Sequence, residues 1–561
     1  MKKQRYIDFD SNLCPPSLRE ELSFYKLALK PFFWRFVSVI LMMVLIWVGA
    51  CISPVLQKYL VNNLVDADRT GVIIFGILTA FALCVARGGA TFQNLMSSML
   101  SVKVGAYLKK LFFRHLLQLP LGVVESAGSG YFGQRMHLDI DLAAYFLSNG
   151  IFQLGLNLLK LCGALILLCF YAPRMMFATC PVLLVFLVMT WFFRRRQFAL
   201  SSRISEATAE YRRLTQNSLD RLTLFKSRAS ESRVDHRLSR NLKKLTMLRI
   251  SRLRWERFYT FLLQLLPAAW SAVIWSYGAW KVIEKSWTLG DLWAVSGYLL
   301  LIFSPGKLFF TGLLNKRNSD AAIARLIELR KMLPEKSAVG EQKISVVSNN
   351  GIDFDGISFA YPGGRKVFDN FSLSVAPGEH VGIIGPSGGG KSTLGALLLR
   401  LYDVSVGEIR LGGVPLRQYP LKVLRRSIGY IGQSAELFYA SVRENLSHGT
   451  SYSDAKLIEA LKKAGMEERL KDNPDLLDLH IREDGGNFSA GERLKLALAR
   501  ELLRKTRVLV LDEATSALDR ESEKKVLSLL HSEWKEYTVL FISHRNFDSG
   551  QMDRIIEIGR N

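Results

Sequence analysis

The chain has 561 residues, 49% of them hydrophobic, with a mean hydropathy of +0.14 and a formal net charge of +24. That length excludes a single compact core, and that composition excludes an ordinary soluble protein. Residues 351–561 hold 29 Lys+Arg against 29 Asp+Glu, whereas the first 350 hold 45 against 21 and so carry the whole excess. Those basic residues lie between long apolar runs, beside nine of the ten tryptophans (all but Trp534), rather than on a soluble fold, which excludes a nucleic-acid-binding half.

Residues 1–30 are polar, are expected to form a cytoplasmic N-terminal elbow, and carry no pattern of a cleavable signal peptide. Six apolar runs follow, each near the ~20 residues that a membrane-spanning helix needs. They cover Phe36 to about Leu56, Val72 through Arg87, Phe146–Tyr171, Met175–Phe193, Phe258 to about Trp280, and Leu292 onward. Tight breaks at 172–174 and 284–286 separate the third span from the fourth and the fifth from the sixth. Residues 194–257 hold 18 basic and 6 acidic side chains, so the positive-inside rule places this loop, and both termini, in the cytoplasm. Helix-compatible sequence fills 101–145 and 194–257 and predicts spans that project beyond the bilayer as rods, which need a surface to contact. The membrane domain is therefore 31–330. The cysteines (Cys14, Cys51, Cys84, Cys162, Cys169, Cys180) have no metal-ligand spacing and read as small buried hydrophobes.

Ionisable residues inside spans are costly and are functional candidates by default. Arg87 and Lys160 are the two here. Asn149, Gln153, Asn157 and Lys160 recur at spacings of 4, 4 and 3, which predicts one polar stripe along the third span facing a water-filled substrate cavity. Helix–helix hydrogen bonding with a snorkelling lysine is the plainer alternative.

Residues 331–350 turn polar and read as a linker. Beyond it, short β-branched runs alternate with helical stretches, the pattern of a parallel α/β sheet. The buried run Val381-Gly382-Ile383-Ile384 leads into Gly385-Pro386-Ser387-Gly388-Gly389-Gly390-Lys391-Ser392-Thr393 and a helix, a phosphate-binding loop in its required strand–loop–helix setting. Its backbone N–H groups would wrap the phosphates of ATP, Lys391 would reach the β- and γ-phosphates, and the Ser392 hydroxyl would bind Mg2+. The strand Val508–Leu511 ends in Asp512 and Glu513, placing a carboxylate for water-mediated Mg2+ binding next to a candidate general base.

With these elements in order, 351–561 resembles the nucleotide-binding domain of ATP-binding cassette transporters, and the whole chain resembles an exporter-type half-transporter: a six-span α-helical membrane domain followed by an α/β P-loop NTPase. The resemblance implies that Tyr361, in Phe359-Ala360-Tyr361, stacks on adenine. It implies that Gln433 contacts Mg2+ and senses the membrane domain, that Glu483 lies in a loop touching the rods, and that Asp519 crosses a dimer interface. It further implies that His544 meets the γ-phosphate. Leu289-Gly290-Asp291, Pro305 and Ala321 through Arg325 to Leu329 resemble the last span and its exit; Ser129-Gly130 with Arg135 and Asp139 resembles the first cytoplasmic loop. The signature L-S-G-G-Q departs here to Phe488-Ser489-Ala490-Gly491-Glu492. Ser489 and Gly491 remain to contact nucleotide held by a second subunit, but Ala490 adds a methyl where backbone nears phosphate, and Glu492 brings negative charge.

One phosphate loop and one signature per chain imply a dimer, most simply of two identical copies, with a related half as the alternative partner. The expected function is ATP-driven export of a peptide, lipid or amphipathic molecule from a bacterial inner membrane. An importer of the same fold, or a nucleotide-gated channel or regulatory subunit, are the competing functions. A channel tolerates loss of the catalytic carboxylate, yet Glu513 is present.

Overall fold

The structure, a computed structural model, describes residues 17–335, 349–361, 364, 366–386, 388–482, 485–516, 518, 520–544 and 551–559. Most of the expected linker and the expected site residues Ser387, Glu483 and Asp519 lie outside them. Two compact units form, one from the membrane half and one in which residues 115–129 join residues 332 onward.

The membrane unit is helical. Helix α1 is Leu18–Leu29, α2 Phe33–Val65 and α3 Arg69–Leu116, whereas α4, Leu121–Ala127, lies in the stretch that joins the second unit. Next come α5, Gly130–Tyr171, and α6, Pro173–Asp220, then the short α7, Leu222–Ser227. Finally α8 covers Glu231–Ile283 and α9 Leu289–Lys331. Six helices among the described residues are long and apolar enough to span a bilayer. The expected extension beyond the apolar runs is present: α6 and α8 each continue for many turns past their apolar parts.

Buried polar contacts fix the register of these helices. Trp47 Nε1 on α2 donates to the Leu159 carbonyl of α5 at 2.8 Å, and the Tyr298 hydroxyl of α9 donates to the Cys51 carbonyl at 3.2 Å. Where α9 begins, Lys58 pairs with Asp291 at 2.7 Å and the Gly290 N–H donates to Asn62 at 3.0 Å. A Cβ at Gly290 would lie 2.2 Å from the Lys58 carbonyl oxygen, so only glycine permits this approach. Deeper in α5, Asp139 is 2% exposed and accepts from Arg325 Nε at 2.8 Å and Nη2 at 2.7 Å, with Arg135 at 3.2 Å.

The predicted polar stripe on α5 is not one uniform face. Asn149 and Asn157 are buried, Gln153 is exposed and donates to Asn94 of α3 at 2.9 Å, and Lys160 is half-buried. Asn149 falls within a π-helical turn, Phe146–Gly150, whereas Gln153, Asn157 and Lys160 lie in the regular helix that follows. Gln153 thus takes the helix–helix hydrogen-bonding role. Arg87 on α3 is exposed.

The second unit carries two sheets. The strands β1 (Ile352–Ala360), β2 (Lys366–Val375), β4 (Val406–Leu411) and β5 (Val414–Pro415) form an antiparallel sheet in the order β2-β1-β4-β5. A parallel sheet holds β3 (His380–Ile384), β6 (Ile428–Ile431), β7 (Val508–Asp512), β8 (Thr538–Ile542) and β9 (Arg554–Glu557), ordered β6-β7-β8-β3-β9. Every residue of β7 and β8 is buried, which explains their unbroken apolar sequences: helices cover both faces of a parallel sheet. Helix α10 (Lys391–Leu398) follows β3, α11 (Leu421–Ser427) precedes β6, and α12 (Val442–Ser447), α13 (Asp454–Lys463), α14 (Glu467–Asp472) and α15 (Ala490–Arg504) build a helical lobe. Helix α16 (Arg520–Glu533) leads to β8.

Residues 115–129 pack within this unit. The Tyr402 hydroxyl donates to Glu125 on α4, and the Glu335 N–H donates to the Gln118 carbonyl at 2.7 Å. Arg425 of α11 grips the Glu335 carboxylate with both terminal nitrogens, at 2.8 and 3.1 Å.

Candidate nucleotide site

The site lies at the C-terminal ends of parallel strands β3, β7 and β8, where an open α/β sheet presents its loops. The loop from β3 to α10 turns on Gly390, the N-cap of α10, at φ +91°. A side chain there would meet Val367 at 2.6 Å, so a left-handed backbone and close packing both demand glycine. Gly385, Pro386, Gly388 and Gly389 complete the described part of the loop around the N-terminus of α10, whose free N–H groups suit an anion.

Lys391 is 4% exposed and folds back over the loop, donating to the Gly385 carbonyl at 3.0 Å and the Pro386 carbonyl at 3.1 Å. These carbonyls hold the ammonium in place among phosphate-facing backbone. Its Nζ is also 3.4 Å from His544 Nδ1 and 3.9 Å from a Glu513 oxygen. His544 Nε2 lies 2.6 Å from the same Glu513 oxygen. Lysine can only donate, so Nδ1 accepts and Nε2 carries the proton given to Glu513. Glu513 itself sits at φ +52°, a left-handed conformation that costs a non-glycine residue about 1–3 kcal/mol. Its N–H donates to the Ile542 carbonyl of β8 at 3.0 Å, which anchors the strained turn.

Asp512, 4% exposed, ends β7 and accepts from the Ser392 hydroxyl at 2.9 Å and the Tyr430 hydroxyl at 2.8 Å. Burial and then the adjacent Asp512 carboxylate push the Tyr430 phenol well above its ordinary range, so it stays a donor. A hydroxyl and a carboxylate side by side are hard oxygen ligands that fit Mg2+. Gln433, two residues past β6, is exposed.

Tyr361 packs edge-on against Tyr402 at 5.1 Å and Phe359 at 5.0 Å, and its hydroxyl is 3.1 Å from that of Thr393 on α10. The signature segment forms the start of α15. Ser489 is its N-cap: the hydroxyl accepts from the Glu492 N–H at 3.2 Å, and the Glu492 carboxylate accepts from the Ser489 N–H at 2.8 Å. Arg469 of α14 pairs with Glu492 at 3.4 Å. The departure from glutamine therefore keeps the capping box, which either Glu or Gln completes, and adds a carboxylate suited to the positive helix end with a cation beside it.

Lys391, Ser392, Asp512, Glu513 and His544 are thus brought together, and Tyr361 meets Thr393. Sequence reasoning did not single out Tyr430, Tyr402 or Arg469. Tyr430 lies in β6, which the sequence reading did not single out, and nothing in the local pattern marks Tyr402 or Arg469.

Comparison with known proteins agrees with this architecture. A family model for the ABC transporter transmembrane region matches residues 32–305, and one for the ABC transporter ATPase domain, described as ABC transporter, matches 368–516. The chain is 28% identical over 514 residues to an ATP-dependent lipid A-core flippase of Haemophilus influenzae, covering 89% of this chain and 86% of that protein. It is 26% identical over 541 residues to a Staphylococcus aureus chain named as a candidate multidrug export ATP-binding/permease protein, covering 94% and 93%. The solved structure of a bacterial Atm1-family ABC exporter with ATP bound shares the fold, with a TM-score of 0.80 and 23% identity over 93% of each chain. With both family domains in one polypeptide and six helices able to span a bilayer, the chain belongs to the ABC transporters, as a multi-pass membrane protein of exporter-type fold carrying its own ATP-binding domain.

Proposed function

We propose that this chain is half of a primary active exporter that couples ATP hydrolysis to movement of an amphipathic or anionic cargo across a bacterial inner membrane. The observation that carries this reading is the convergence of Lys391, Glu513 and His544 at one loop, with His544 2.6 Å from Glu513.

Each residue has a role in the proposed chemistry. The glycine loop and Lys391 bind the phosphates, and Tyr361 stacks on the adenine. Ser392 and Asp512 would hold Mg2+, with Gln433 as a further candidate ligand, and the ion would neutralise charge developing on the phosphates. Tyr430 orients Asp512. Glu513 accepts a proton from the attacking water, and His544 holds that carboxylate in place while facing the γ-phosphate. Ser489 and Gly491 complete the site of a second copy, because one chain offers a single phosphate loop and a single signature. Asp519 lies at the same interface.

ATP binding adds contacts that exist only when two copies close, and hydrolysis removes them. The cytoplasmic rods transmit that change to the spans. The names of the flippase and multidrug relatives support an amphipathic cargo. Arg87 and half-buried Lys160 support an anionic one, with Asn149, Gln153 and Asn157 as neighbouring candidates along α5. Both termini lie in the cytoplasm, as the basic 194–257 segment argues.

Proteoliposomes with the ATPase facing outward test the reading. ATP outside should drive labelled amphipathic substrate into the lumen, and Glu513→Gln should stop it. ATP-driven movement out of the lumen would make the protein an importer. Nucleotide-dependent conductance that survives Glu513→Gln would make it a channel. Unchanged substrate stimulation of ATPase activity in Arg87→Ala and Lys160→Ala would remove the anionic-cargo assignment.

A further inference from the structure

A second candidate site lies where the apolar part of α6 ends and that of α8 begins, remote in sequence from every nucleotide-binding residue. Phe193, Arg196, Trp255, Glu256 and Tyr259 line a small, shallow cleft. Phe193 packs against Trp255 at 6.0 Å, Phe258 at 6.1 Å and Tyr259 at 5.4 Å. The Arg196 guanidinium stacks 4.0 Å from the centre of the Trp255 ring. Tyr259 is 6% exposed, and its hydroxyl has no hydrogen-bond partner. Buried hydroxyls are nearly always paired, so one left unpaired beside a cleft calls for an absent partner.

The surroundings define that partner's charge and depth. Residues 194–203 and 249–257 contain eight arginines, no lysine and one acid, Glu256. Among the described side chains, Arg196, Arg203, Arg249, Arg252, Arg254 and Arg257 form no ion pair. Aromatic rings at the end of an apolar span, with arginines just beyond, mark the headgroup level of a bilayer. A guanidinium stacked on an indole keeps its N–H edges free to fork onto phosphate oxygens, which lysine does not do in a plane.

We propose that this cleft binds the headgroup of an anionic phospholipid of the cytoplasmic leaflet, of the phosphatidylglycerol type. Arg196 grips the phosphodiester, the Tyr259 hydroxyl donates to one of its oxygens, and the Glu256 carboxylate accepts from a headgroup hydroxyl. The arginine band supplies long-range attraction to the anionic surface. The assignment depends on the bilayer level of α6 and α8 and is independent of the cargo.

Native mass spectrometry of the detergent-purified full-length protein, offered equal phosphatidylglycerol and phosphatidylcholine, tests it. Phosphatidylglycerol should be retained preferentially. Arg196→Gln and Tyr259→Phe should each reduce that retention about fivefold, whereas Arg203→Gln, in the band but outside the cleft, should stay close to wild type. Elution as the wild-type species in size exclusion establishes that each variant folds. Equal retention of the two lipids overturns the site. So does an Arg203→Gln loss equal to that of Arg196→Gln, which would mean diffuse charge, or wild-type retention in Tyr259→Phe. Displacement of bound lipid by millimolar inorganic phosphate would reassign the cleft to a free anion and overturn the lipid assignment.

Discussion

His544 Nε2 stands 2.6 Å from a Glu513 carboxylate oxygen, while the other ring nitrogen of His544 faces Lys391 at 3.4 Å. The imidazole thus ties the end of β8 to the end of β7 and to the phosphate-binding loop. It fixes which Glu513 oxygen is hydrogen-bonded and leaves the other able to take a proton. Glu513→Gln keeps the shape and removes the basicity. Phosphate release should fall by about 10²–10⁴-fold, with binding of a fluorescent ATP analogue retained. An analogue affinity that falls in parallel would mean that Glu513 serves binding rather than hydrolysis.

Tyr430→Phe isolates the support of Asp512. The ring sits against α10, where a Cβ on Gly395 would meet it at 2.7 Å, so phenylalanine keeps the packing and loses only the 2.8 Å hydrogen bond. The Mg2+ concentration giving half-maximal ATPase activity should rise about 10–100-fold, the usual effect of removing a partner of a metal ligand. An unchanged Mg2+ titration would reduce Tyr430 to a packing residue.

In the signature segment, Glu492 satisfies the Ser489 N–H and pairs with Arg469. In a closed dimer a carboxylate at that position would oppose an approaching phosphate, and the Ala490 methyl would crowd it. Ala490→Gly with Glu492→Gln should lower the KM for ATP by up to about fivefold, the range of a single charge at a helix end. Lower affinity in the double variant would show that the Arg469–Glu492 pair matters more than relief of the negative charge.

Asp139 joins two arginines from inside the membrane unit. Asp139→Ala leaves Arg135 and Arg325 without this countercharge and should destabilise the protein by about 3 kcal/mol, read as an earlier thermal unfolding in detergent. Replacing all three by apolar residues of similar size should recover most of the loss. If the triple variant unfolds as early as the single one, the triad contributes more than charge compensation.

The sequence carries unequal information about these features. The spans and the buried strands β3, β7 and β8 are legible because each is one contiguous stretch whose hydropathy states its surroundings. The phosphate loop is legible because its glycines answer to local backbone geometry. Along α5 the spacing alone does not reveal burial: Gln153 and Asn157 lie one turn apart in the regular helix Ile151–Tyr171, yet Gln153 is exposed and Asn157 buried, because burial depends on which helices pack alongside. Tyr430 is hidden because strand residues alternate in facing, and only the pairing of β6 with β7 brings its hydroxyl to Asp512.

By itself the sequence determined a membrane-embedded half, a neutral α/β half and the identity of the nucleotide-binding loop, since all three rest on residues adjacent in the chain. Tertiary structure alone decided which distant groups meet: Lys391 with His544, 153 positions apart, Tyr430 with Asp512, 82 apart, and Asp139 with Arg325, 186 apart. Those distances depend on strand order and helix packing, where many registers satisfy the same local pattern. Burial and the pairing of charges select one of them.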